Sequence, residues 1–139
     1  MKKTILLVGA SLLLASNVYA ADAEDGTLKS VMQQLGEDYT TLNQAILMAD
    51  FDRAAQAAHH IAHHDKPSMF QKMKIMAGLR TDMPNFKKAD DKVHKLALDI
   101  EKSAKAKDMP QLIQQQSNML SACMGCHTTY RSRVMDILK

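Results

Sequence analysis

The sequence predicts an all-α chain folded as an antiparallel four-helix bundle, and three observations predict it. Four stretches carry apolar residues at alternating spacings of three and four, the pattern of a bundle seam. Aromatics are scarce, with three Phe, three Tyr and no Trp, while helix formers such as Ala, Leu, Met, Lys and Gln dominate. Two short joints and one long one separate the stretches, punctuated by Asp and Pro.

The first helix spans residues 27–48, with Leu28, Met32, Leu35, Tyr39, Leu42, Ile46 and Ala49 along its seam. Asp50 caps a second helix over 51–64, which turns Phe51, Ala54, Ala58, Ile61 and Ala62 inward before Asp65-Lys66-Pro67 ends it. Residues 68–80 hold a further stripe (Met69, Met73, Met76, Leu79) that suits a short helix ending before Gly78. Pro84 fits the first turn of a third long helix, running to about Ala104 through Phe86, Val93, Leu96, Ala97 and Ile100. Asp108 and Gln111 read as a capping box, with Pro110 in the first turn. The fourth long helix continues through Leu112, Met119, Leu120, Cys123, Cys126, Tyr130, Val134 and Ile137. There is no repeat, no low-complexity tract and no sign of a second domain.

Residues 1–20 read as a secretion signal: Lys2 and Lys3, an apolar run over 4–14, then Val18-Tyr19-Ala20 before the cut. That run is too short to span a bilayer, and no later stretch is a membrane helix. Cleavage after Ala20 leaves residues 21–139 as one exported domain. The formal charge of +3 includes Lys2 and Lys3, so the exported part is close to neutral. Such a balance argues against nucleic acid as a partner.

Cys123-Met124-Gly125-Cys126-His127 spells C-x-x-C-H and contains the only two cysteines. That spacing is the attachment signal for haem c: two thiols add across the vinyl groups and the following histidine ligates the iron. On a helix Cys123, Cys126 and His127 fall at i, i+3 and i+4, on one face. A bare C-x-x-C would equally suit a dithiol or a zinc site; the adjoining histidine and the export signal favour haem. Bacteria attach this haem outside the inner membrane, so the expected location is the periplasm of a Gram-negative cell. If the first and fourth helices are antiparallel neighbours, Met32 lies only ~7 Å along the bundle from the level of His127. Met32 is therefore either a sixth iron ligand or a core seam residue, and periodicity leaves both open.

A C-terminal C-x-x-C-H followed by Tyr130 and Arg131, on a helical exported chain of this size, resembles the class II cytochromes c. That family comprises the high-spin cytochromes c′ and their low-spin, methionine-ligated relatives. The run His127-Thr128-Thr129-Tyr130-Arg131, with Met32-Gln33-Gln34-Leu35 near the start, also resembles the periplasmic four-helix b-type cytochrome. The resemblance implies one haem c on the C-terminal helix, with thioethers at Cys123 and Cys126 and His127 as proximal ligand. It puts Met32 where low-spin members carry their distal methionine and cytochromes c′ a non-ligating apolar residue, and Arg131 beside the proximal face. Leu28, with Lys29 next door, stands where many cytochromes c′ carry a propionate-pairing arginine, so propionate pairing is unassigned.

The reading is a periplasmic electron carrier, not an enzyme, since a filled iron offers no substrate position and no distal acid or base stands out. Its partners would be periplasmic redox proteins; relatives dimerise through their first two helices, which leaves a homodimer open. The alternative is a five-coordinate cytochrome c′-type protein that binds nitric oxide or carbon monoxide. A haem-free metal or dithiol protein is the rival from another class. His59, His60, His63 and His64 form two i,i+4 pairs that could chelate a secondary metal, with Asp65 adding an oxygen, or simply line a solvated helix face. His94 stands alone as a surface or boundary residue. Met69, Met73 and Met76 either shield a haem edge or pack the long connection. Lys87, Lys88, Lys92, Lys95, Lys102 and Lys105 alternate with acids, a solvated face first and a docking patch second.

Overall fold

The computed structural model describes residues 26–139; the expected signal over 1–20 lies outside the described residues. The described chain is all-helical. Its helices are α1 (Leu28–Leu47), α2 (Phe51–Ala62), α3 (Met69–Leu79), α4 (Met83–Lys105) and α5 (Met109–Leu138), with a 3₁₀ turn at Arg80–Asp82. The four long helices pack against one another: α2 against α1 and α4, and α4 against α5, while α3 lies on α5. The α1–α5 pairing is sparse. No helix among the described residues is long and apolar enough to cross a membrane.

The two three-residue joints share one device. Ala49 and Lys107 adopt the left-handed conformation, with φ of 55° each. Asp50 and Asp108 then donate their backbone N–H to Ala45 and Ser103, at 2.9 Å each, closing the helix behind. Their side chains accept from the N–H of Arg53 and Gln111 at 3.1 Å, opening the helix ahead. The expected capping box at Asp108 is thus realised in its aspartate half, because the Asp108 N–H is already taken by Ser103. Neither joint uses the glycine that a left-handed residue favours. That strain is about 1–2 kcal/mol, and glycine's extra freedom in the unfolded chain offsets part of its relief. Ala49→Gly and Lys107→Gly are each expected to raise stability by about 0.5 kcal/mol in urea unfolding.

The core falls into two clusters. The larger joins Leu42 and Ala45 of α1, the alanine-rich face and Ile61 of α2, Ala97, Ile100 and Ala104 of α4, and Leu112 and Met119 of α5. The smaller joins Ile75 and Leu79 of α3 to Tyr130 and Val134 of α5. Phe86 meets Tyr130 edge-on, at 5.2 Å between ring centres. Arg133 pins the turn before α4, pairing with Asp82 at 2.9 Å and donating to the carbonyl of Leu79 at 3.2 Å.

Several expectations need correction. The short helix does not stop before Gly78 but runs through it to Leu79. A Cβ there would lie 2.5 Å from Ile137 Cγ1, so the missing side chain is what lets α3 approach α5. Met69, Met73 and Met76 do not pack the connection; all three are exposed, as is Phe70, and Ile75 with Leu79 supplies the inward face. Ala49 is exposed in its joint, and Leu120 is also exposed. In α1 the buried residues are Val31, Asp38, Leu42 and Ala45; Asp38 meets His60 of α2, and Leu42 and Ala45 join the larger cluster. The expected seam of Leu28, Leu35, Tyr39 and Ile46 is only half-buried, because it looks toward α5, where contact is thin.

Candidate functional site

Cys123 and Cys126 sit in the middle of α5 as free, half-buried thiols. Cys123 packs against the larger cluster and Cys126 against the smaller, so the C-x-x-C pair straddles the divide between them. The same divide falls on α4 between Ala89 and Val93, and on α1 between Leu28 and Leu35. Met32 lies midway in that stretch of α1 and is partly exposed, at 38%.

Burial pushes both thiols above the ordinary cysteine range, and for Cys126 the Asp90 carboxylate and then Cys123 push further. Redox dithiols need the opposite: a thiolate favoured by a helix N-terminus or a nearby cation. The pair is placed mid-helix against apolar side chains, which suits thiols that are consumed in a bond rather than cycled.

A polar contact fixes the register of α1 against α5. Gln116 donates through Nε2 to Tyr39 Oη at 2.7 Å and to Asn43 Oδ1 at 2.6 Å. Met32 is two turns from Tyr39 toward the start of α1, and Cys123 is two turns from Gln116 toward the end of α5. Leu28 packs in the same cluster as Tyr130 and Val134, which gives the direction of that register. Met32 therefore stands level with Cys123, where the core is interrupted. His127 is exposed on the next turn, and its imidazole has no hydrogen-bond partner among the described residues. Arg131 is exposed one turn further on. Surface depressions occur elsewhere, along Gln33, Gly36, Glu37 and Thr40 and beside His59 and Glu101.

No family model, curated protein or solved structure matches the chain.

The second helix ends two residues short of the expected His64: α2 stops at Ala62, so His59 and His60 lie on it, His63 caps it and His64 lies beyond, and the four turn to different neighbours. His59 Nδ1 lies 3.3 Å from Glu101 of α4, and His60 Nδ1 lies 3.5 Å from Asp38 of α1. His63 stacks on His59, with ring centres 4.2 Å apart, and its Nδ1 reaches the His59 carbonyl at 2.9 Å. His64 turns away to His94, with their Nε2 atoms 3.1 Å apart. His94 is thus more than a boundary residue. Its Nδ1 donates at 2.8 Å to the carbonyl of Ala62, satisfying one of the free carbonyls at the end of α2. Asp90, one turn before His94, was given no role by the sequence pattern, although the i,i+4 spacing of Asp90 and His94 was there to be read. Three of the six lysines of α4 are neutralised one turn away, Lys87 by Asp91, Lys95 by Asp99 and Lys105 by Glu101, as on a solvated face.

Proposed function

We propose that this protein is an exported monohaem c-type cytochrome of the class II kind, an antiparallel four-helix bundle that carries electrons in the periplasm. The observation that supports it most is the position of C-x-x-C-H: its half-buried thiols lie where the core divides, level with a methionine on the neighbouring helix. The residues fit the group. Cys123 and Cys126 would hold it through thioethers, His127 offers an imidazole nitrogen, and Met32 offers a soft sulfur.

When bound, the haem supplies reversible one-electron chemistry at iron. The chain supplies the rest. A histidine–methionine pair favours the reduced state and leaves no open position, which suits outer-sphere transfer to periplasmic redox proteins. α1 is backed by α2 and α5 by α4, and α2 and α4 pack on each other, so each ligand-bearing helix rests on a rigid neighbour, which keeps reorganisation small. Arg131 adds positive charge one turn past His127.

Two measurements test this on protein made in a cell competent to mature c-type cytochromes. A haem stain should survive denaturation, and the oxidised spectrum should be low-spin with a far-red methionine–iron band. Colourless protein with both thiols free would end the proposal. A high-spin spectrum with ready carbon monoxide uptake would replace the carrier by the gas-binding alternative.

A further inference from the structure

We propose that His64, Asp90 and His94 form a binding site for one divalent transition-metal ion of the zinc type, with all three donor atoms outside the cysteine motif. The argument starts from tautomers. His94 Nδ1 faces the Ala62 carbonyl at 2.8 Å, and His64 Nδ1 faces the Asp65 carbonyl at 2.6 Å. A carbonyl oxygen can only accept, so each Nδ1 carries the ring hydrogen. In the neutral imidazoles both Nε2 atoms are then bare lone pairs, and they face each other at 3.1 Å. Two lone pairs at that distance repel unless a cation lies between them.

The geometry fits a metal ion. Two nitrogens each about 2.0–2.1 Å from a zinc ion lie roughly 3.3 Å apart at a tetrahedral angle, and about 2.9 Å apart at a right angle. The observed 3.1 Å falls between these values. Asp90 Oδ2 lies 3.6 Å from His94 Nε2, and the three donor atoms all lie within 4.8 Å of one another. The carboxylate supplies the negative charge that an imidazole pair lacks. Both Nδ1–H groups already donate to backbone carbonyls, the arrangement that orients metal-bound histidines and strengthens their donor nitrogens.

Two imidazoles and one carboxylate suit zinc, copper or nickel better than calcium or magnesium, which prefer all-oxygen shells. The side chains of His94 and Asp90 are 30% and 48% exposed, so a fourth position opens to solvent. Asp90 and His94 share a face of α4, whereas His64 lies just past the end of α2. A bound ion would therefore fasten the segment leading to α3 onto α4. None of its donors belongs to C-x-x-C-H, and it uses only one of the four histidines that the sequence pattern groups together.

Calorimetric titration of the exported chain with zinc chloride tests it. One ion per chain is expected, with a higher thermal unfolding midpoint. Affinity should fall at least tenfold in His64→Gln and in His94→Gln, and also in Asp90→Asn, whose half-exposed, nearly isosteric change leaves the packing in place. Binding should be unchanged in a His59→Gln/His63→Gln chain and in a Cys123→Ser/Cys126→Ser chain. Absence of saturable zinc binding, or binding that Asp90→Asn and His64→Gln leave intact, would overturn the proposal. So would nitrogen NMR showing the two rings sharing one proton in the presence of excess zinc.

Discussion

Met32→Ala is expected to turn a low-spin, methionine-ligated haem into a high-spin one that binds carbon monoxide. The far-red sulfur–iron band should vanish, and the reduction potential should drop because the soft thioether no longer favours reduced iron. The fold should survive: Met32 is 38% exposed and belongs to neither buried cluster, so truncation removes little packing. Folding stability measured beside the spectrum separates ligand loss from collapse. Leu35→Ala is the control, since Leu35 lies less than one turn away and packs on the larger cluster without offering sulfur. An unchanged spin state in Met32→Ala would remove Met32 from the iron and leave His127 without its proposed counterpart.

Leu79→Ala should give the largest loss of stability at the α3 end of the molecule. Leu79 is fully buried in a cluster with only three other buried members, Ile75, Tyr130 and Val134. Deleting its side chain is expected to cost about 2–5 kcal/mol, toward the upper part if the small cluster cannot close over the gap. The loss should be local first. α3 is held mainly to α5, whereas α1, α2 and α4 share the larger core. Hydrogen exchange should show the α3 amides losing protection at low denaturant while those of α2 and α4 remain slow. Leu42→Ala, cut into the larger cluster, should lower protection throughout. A uniform loss in Leu79→Ala would mean that the two clusters unfold as one.

How much of this was legible in the sequence follows from the range of each interaction. Asp50 and Asp108 could be read because a cap acts over three residues. The left-handed Ala49 and Lys107 could not, since neither residue type announces that conformation. Helical periodicity located the apolar face of α1 but not its division between two neighbours: Asp38 meets His60 of α2 while Tyr39 meets Gln116 of α5. The stripe of Met69, Met73 and Met76 has the right spacing for burial, yet Gly78 draws the other side of α3 against Ile137. At the candidate site, C-x-x-C-H is local and visible. The level of Met32 could be estimated from helix lengths, but the Gln116–Tyr39 contact that fixes it depends on tertiary packing. The meeting of His64 with His94 spans 30 residues of chain and left no local signature.

The outward turn of α3 has a chemical consequence. Its thioethers stand in solvent, where peroxide or hypochlorite reaches them, whereas Met119 is fully enclosed. Oxidants should thus convert Met69, Met73 and Met76 to sulfoxides long before Met119, as peptide mass spectrometry would record. Because those three side chains add little to the interior, the protein can absorb several such hits and keep its shape.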